Sequence, residues 1–255
     1  MFSGFELKIA GIVLMIFDHL HQMFYIFGVP EWFAWLGRPV APIFLFFCAE
    51  GYRHTRNKAR YMMLLLAGFE SMSAVSHIMT LSMRSDELSL INNIFGTLFV
   101  SVLYMALADM FLGAVREKKP GRLALALLGM MIPFAVGAAP FITGETMPVW
   151  LQTAMLIYIP SPLTVEGGVL FALMGVLFHL FQGRRCAQAA IPIAYGLLGF
   201  FMVGPAQWLI SAATIPILTY NGKRGPGGAL GKYFFYVFYP AHIYIFYVIS
   251  WCLSN

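Results

Sequence analysis

An all-α, polytopic bundle of membrane-spanning helices is the fold this chain predicts, and three observations predict it. Hydrophobic residues make up 60% of the 255 and charged residues only 11%, whereas about a quarter of a typical soluble chain is charged. The apolar residues fall in runs suited to a hydrocarbon core ~30 Å thick. Those runs are punctuated by charge clusters and by Pro and Gly. The expectation is about nine spans in a single integral membrane domain over 1–255, with no segment spare for a soluble catalytic domain.

The first span is expected near 6–27. Met1 to Lys8 carries no basic cluster and no small-residue cleavage site follows, so the helix is expected to insert and stay. The second, near 39–53, opens on Gly37-Arg38-Pro39, where Pro39 suits a first helical turn. It is short, and so is expected to be tilted, kinked or partly inserted. Further spans are expected near 60–81, 92–114, 123–141, 165–181, 188–203, 206–220 and 233–252. Segment 149–163, with Pro148, Pro160 and Pro162 around it, reads as re-entrant or interfacial.

Lys and Arg in the loops set orientation. The basic loops hold Arg53, Arg56, Lys58 and Arg60; then Arg116, Lys118, Lys119 and Arg122; then Arg184-Arg185; then Lys223-Arg224 with Lys232. Nine spans put all four on one face, expected to be cytoplasmic, with the N-terminus inside. The net charge of +5 then reports topology, and no nucleic acid is expected as a partner. Cys48, Cys186 and Cys252 stand singly and no metal-ligand spacing appears, so neither a disulfide framework nor a metal is expected.

The costly feature is Asp18-His19 in the middle of the first span. An Asp at a helix centre costs roughly 2.5–3.5 kcal/mol on insertion scales. On a helix Gln22 lies about 40° from Asp18, Tyr25 about 20° the other way, His21 about 60° and His19 about 100°. That wedge should face protein or water. Neighbouring side chains diverge, so the partner of the pair should come from elsewhere, with Arg38 and His242 as candidates. Asp18 can equally be a packing bridge, and His19 a satisfied core histidine. Arg38 can pair with Asp18, bind a substrate carboxylate or phosphate, or sit at the interface. Glu50 can bridge to Arg53 or Arg56, or line a cavity. Tyr239 and His242 share a face beside Pro240, whose missing N–H favours a kink. The basic loop 53–60 and the run Asn221-Gly222-Lys223-Arg224-Gly225-Pro226-Gly227-Gly228 offer cations and backbone N–H groups to phosphates of a cytoplasmic nucleotide-type donor. Positive-inside topology alone also explains them, and the second run is not a Walker loop.

Several runs together resemble the TraX family. They are Leu14-Met15-Ile16-Phe17-Asp18-His19, Gly37-Arg38-Pro39 with Pro42-Ile43-Phe44, and Glu50-Gly51-Tyr52-Arg53-His54-Thr55-Arg56-Asn57. Asn92-Asn93-Ile94-Phe95-Gly96-Thr97-Leu98, Asn221-Gly222-Lys223-Arg224-Gly225 and Phe234-Phe235-Tyr236-Val237-Phe238-Tyr239-Pro240-Ala241-His242 extend the match along the chain. The first two segments also look distantly like the acyltransferase-3 family, whose early-span histidine corresponds to His19. The family's namesake role, N-terminal acetylation of pilin in the bacterial inner membrane, implies a membrane acetyltransferase using acetyl-CoA. The implied acceptor is an amine: a pilin or other membrane peptide, a lipoprotein or a small molecule.

On that reading His19 is the base or the transient acetyl carrier, tuned by Asp18 or His242. Tyr239 or Asn93 donates to the oxyanion, Arg38 and Glu50 line the substrate side, and Arg53, Arg56, Arg60, Asn221, Lys223 and Arg224 hold the coenzyme. The rival is a proton-coupled transporter that uses Asp18 and His19 as a relay. Pairing with a second copy of the chain stays open.

Overall fold

The computed structural model describes the backbone of residues 1–85, 87–226 and 228–254, and the side chains of all of these but 229–232. Among the described residues the regular secondary structure is all helical, save one isolated parallel bridge between Phe2 and Tyr220. The α-helices are α1 (Gly4–Phe24), α2 (Trp32–Gly37), α3 (Val40–His54), α4 (Lys58–Ser82), α5 (Ile94–Arg116) and α6 (Pro120–Thr143). They are followed by α7 (Val149–Tyr158), α8 (Gly168–Leu180), α9 (Arg185–Met202), α10 (Thr214–Thr219) and α11 (Gly228–Ser254).

Seven helical segments among the described residues are long and apolar enough to cross a bilayer: Gly4–Phe27, Trp32–His54, Lys58–Ser82, Ile94–Arg116, Pro120–Thr146, Arg185–Met202 and Tyr233–Ser254. The chain is a multi-pass membrane protein of the all-α class. Three expected spans differ in detail. The second is longer than 39–53, because α2 joins α3 through Arg38 and Pro39 to give 23 residues. The segment expected at 165–181 condenses to the 13-residue α8. The segment expected at 206–220 is a 3₁₀ helix, Pro205–Ala213, running into the six-residue α10. Gly204, at φ +150°, and Pro205 interrupt the chain there, and a proline has no N–H to extend the previous helix.

The chain forms two compact units. Unit 1 comprises Met1–Phe47, Met83–Leu90 and Phe181–Asn255, and unit 2 comprises Cys48–Ser82 and Ile91–Leu180. In unit 1, α1 packs against α2 and α11, and the 3₁₀ segment packs on α9. The start of α1 is satisfied with care. Gly4 and Phe5 donate their N–H groups to the carbonyls of Lys223 and Arg224 at 2.8 and 3.0 Å. Ser3 and Glu6 close a capping box, which serves the remaining unpaired N–H groups of a first turn. The loop 219–224 is thereby strapped to the beginning of the chain, with Phe2 N–H on Thr219 O at 2.8 Å and Asn221 N–H on Phe2 O at 2.9 Å.

In unit 2, α5 packs against α4, α6 and α8. Val100, Val165 and Ala172 form a buried cluster with Phe99 and Tyr104 against it. The Tyr104 hydroxyl donates to Met130 O at 2.6 Å. Helix α7 has only ten residues, about half of what a full crossing needs. It packs on α4 and α6, and Gln152 donates to Pro140 O at 3.0 Å.

Candidate active site

Helix α1 brings His19 to the inside of unit 1, and α11 brings His242 to meet it. Both rings are buried, 4% and 6% exposed. His19 Nδ1 lies 2.6 Å from His242 Nε2, and His242 Nδ1 lies 2.8 Å from Phe238 O. The rings are within 24° of parallel, so the nitrogens meet nearly in plane. The Phe238 ring stacks on His242 at 4.9 Å and the Phe246 ring meets it edge-on at 5.8 Å. Tyr239, buried on the same helix, has its ring 6.1 Å from that of His19.

These contacts fix the protons of the neutral pair. A carbonyl oxygen only accepts, so His242 Nδ1 carries a hydrogen and donates it to Phe238. A neutral imidazole has one N–H, so His242 Nε2 is an acceptor. His19 must then donate from Nδ1, and its Nε2 keeps the lone pair. A chain of two hydrogen bonds thus presents His19 Nε2 as a base or nucleophile of defined orientation.

Asp18 faces elsewhere, as adjacent positions on a helix must. A Cβ at Gly37 would collide with the Asp18 carboxyl carbon, so glycine there lets α2 close onto α1. Arg38 and His21 are the electrostatic neighbours of Asp18. Among the described residues no ion pair within 4.0 Å joins Asp18 to Arg38, and Arg38 Nε is buried without a hydrogen-bond partner. His21 donates from Nδ1 to Val29 O at 3.0 Å. Of the two partners expected for the doublet, His242 meets His19, while Arg38 is an electrostatic neighbour of Asp18.

The remaining expected site residues divide between the units. Lys223 and Arg224 are exposed. Two backbone donors of their loop are engaged: Asn221 N–H goes to Phe2 O and Lys223 N–H to Asn221 Oδ1 at 2.8 Å. The loop therefore offers side-chain cations more than a backbone cradle. In unit 2, Arg53, Arg56 and Arg60 are exposed. Glu50 stands 3.9 Å from His54, in place of the expected bridge to Arg53 or Arg56. Asn93 donates its amide hydrogens to Phe69 O at 3.0 Å and Ser73 Oγ at 3.2 Å, so its amide donors are engaged within the unit.

Unit 2 holds a constellation the sequence reading passed over. Asp109 of α5 accepts from Tyr52 at 2.9 Å, Lys58 at 3.0 Å and His179 at 2.7 Å. A signal was present: Asp109 is the lone charged residue between Glu87 and Arg116, the same anomaly that marks Asp18.

The fold and the first site define a polytopic membrane protein with a buried imidazole pair contributed by its first and last helices. The chain belongs to the TraX family, whose profile, described as TraX protein, matches residues 3–250. It is 28% identical over 249 residues to a protein of Dichelobacter nodosus described as probable fimbrial assembly protein FimC, serogroup H1, a match covering 95% of this chain and 93% of that protein. No solved structure matches it significantly.

Proposed function

We propose that the chain is an integral membrane N-acetyltransferase that moves an acetyl group from acetyl-CoA to an amine. The observation that carries this is the hydrogen-bonded pair His19–His242, which leaves the Nε2 lone pair of His19 for chemistry. The relative named for fimbrial assembly favours the N-terminal amine of a pilin-type membrane peptide as acceptor. The setting is the bacterial inner membrane, with the N-terminus and the basic loops cytoplasmic.

In this reading the amine nitrogen bonds to the acetyl carbon and the C–S bond breaks with its electron pair going to sulfur. His19 Nε2 takes the proton released from the amine and passes it to the thiolate, or carries the acetyl group transiently itself. His242 holds the tautomer. Tyr239 is the oxyanion donor, and Arg38 with Asp18 lies on the acceptor side. The coenzyme's phosphates pair with Lys223 and Arg224, beside Asn221. His19 stands fifteen residues beyond Gly4, about 22 Å along α1 at 1.5 Å per residue. The long pantetheine arm of a coenzyme suits that separation better than a compact donor.

The test is transfer itself. Detergent-purified protein with acetyl-CoA and a peptide bearing a free N-terminus should yield acetylated peptide by mass spectrometry, and folded His19→Ala protein should not. Absence of transfer together with no stabilisation by acetyl-CoA in thermal melts would remove the reading. The transporter alternative is weakened on one point: Asp18 and His19 are not hydrogen-bonded to each other, so they form no direct relay.

A further inference from the structure

We propose that Asp109, His179, Tyr52 and Lys58 form a second site, within unit 2, in which His179 Nδ1 accepts the proton of a hydroxyl, amine or thiol on a small ligand. The argument begins with the carboxylate. Asp109 Oδ2 accepts from the Tyr52 hydroxyl at 2.9 Å and from Lys58 Nζ at 3.0 Å, and Oδ1 accepts from His179 Nε2 at 2.7 Å. Four helices, α3, α4, α5 and α8, thus send one side chain each to one point. A carboxylate only accepts, so in the neutral ring the His179 hydrogen sits on Nε2 and the lone pair on Nδ1. That Nδ1 is buried and has no hydrogen-bond partner among the described residues.

A purely structural latch has no use for that lone pair. The Tyr52 and Lys58 bonds already tie α3 and α4 to α5, and an apolar side chain at 179 would fill space without burying an unpaired acceptor. A buried polar atom with no partner calls for a reason, and chemistry at that atom is one. The rest of the constellation has what a base needs. Asp109 fixes the ring orientation and stabilises the imidazolium once Nδ1 takes a proton. The ligand's heteroatom keeps its electron pair when Nδ1 takes its proton.

The charged end of the constellation is its exposed end. The Lys58 and Asp109 side chains are 46% and 41% exposed, whereas His179 is 13% exposed. Lys58 also lies over the Tyr52 ring, 4.1 Å from its centroid. A flexible side chain therefore covers the aromatic wall of the site and can move aside. The proposal stands independently of acetyl transfer in unit 1.

The experiment uses detergent-purified, full-length protein and diethyl pyrocarbonate, which acylates the lone-pair nitrogen of a reachable imidazole. Peptide-resolved mass spectrometry follows each histidine, with His54, whose side chain is 70% exposed, as the internal reference. His179 should react within about tenfold of His54, and Asp109→Asn should slow it, because the ring is no longer held in the tautomer that leaves the lone pair on Nδ1. Lys58→Ala should speed it, which keeps the test open if Asp109→Asn fails to fold. His179 left unmodified in both wild-type and Lys58→Ala protein, while His54 reacts to completion, would make the constellation a dry structural latch and overturn the proposal.

Discussion

The two histidine sites differ in what stands behind the reactive ring. In unit 1, His19 rests on another imidazole and through it on a backbone carbonyl, with both rings almost wholly buried. In unit 2, His179 rests on a carboxylate that is itself 41% exposed. The first support fixes a tautomer while adding no charge. The second fixes a tautomer through an anionic acceptor. The lone pairs consequently fall on opposite nitrogens, Nε2 in His19 and Nδ1 in His179. One fold thus carries two ways to orient an imidazole, a charge-free one within the apolar helices and an ionic one where solvent reaches.

Substitutions can break or sharpen this contrast, and the largest effect is expected in unit 1. His19→Ala should lower the acetyl-transfer rate about 10²–10⁴-fold, the range a positioned base supplies, and should also lower the melting temperature, because it leaves His242 Nε2 buried without its donor. A rate within a few-fold of wild type would move the chemistry to His242. His242→Phe keeps the aromatic packing but leaves the His19 Nδ1–H without an acceptor. It should cost about 1–3 kcal/mol in denaturant or thermal unfolding and about 10–100-fold in rate. Loss of stability without loss of rate would show that the pair is architectural.

Asp109→Ala should be milder, about 1–2 kcal/mol, because its carboxylate is partly exposed and screening reduces what its bonds contribute. Acetyl transfer should survive it if the two sites are independent. The smallest effect belongs to Glu117, in the turn between α5 and α6. Its hydrogen bond to Lys119 and the nearby Arg122 charge hold its carboxyl below the ordinary range. That sign means any contribution exists above the unfolded-state pKa and fades as pH falls through the folded one. The group is fully exposed, so Glu117→Gln should leave the melting temperature unchanged at both pH 7 and pH 3.

Much of the helical content was legible because composition and apolar run length act locally. Helix α1 shows its start in Ser3 and Glu6 and its oddity in Asp18-His19, all readable in sequence. Helical spacing turned Asp18 away from His19 and left Arg38 or His242 as its partner, but it could not show that His242, 223 positions away, would meet His19 instead. Spans were misjudged where the backbone leaves the α-helix: run length alone does not separate the 3₁₀ geometry of Pro205–Ala213 from an α-helical crossing. Arg38 read as the start of a span because Pro39 suits a first turn, yet α2 precedes it and carries the helix through. Asp109 was missed because its three partners lie on three other helices, so no local window contains the constellation. Asn93 was a candidate oxyanion donor, but Phe69 O and Ser73 Oγ take its amide hydrogens, and only folding places those acceptors.

The most direct measurement is the nitrogen NMR spectrum of histidine-labelled protein at neutral pH, with His19, His242 and His179 assigned by substitution. The account predicts hydrogen on Nδ1 of His19 and of His242, and on Nε2 of His179. Hydrogen on Nε2 of His19 would place the lone pair against His242, leave no base facing a substrate, and contradict the account.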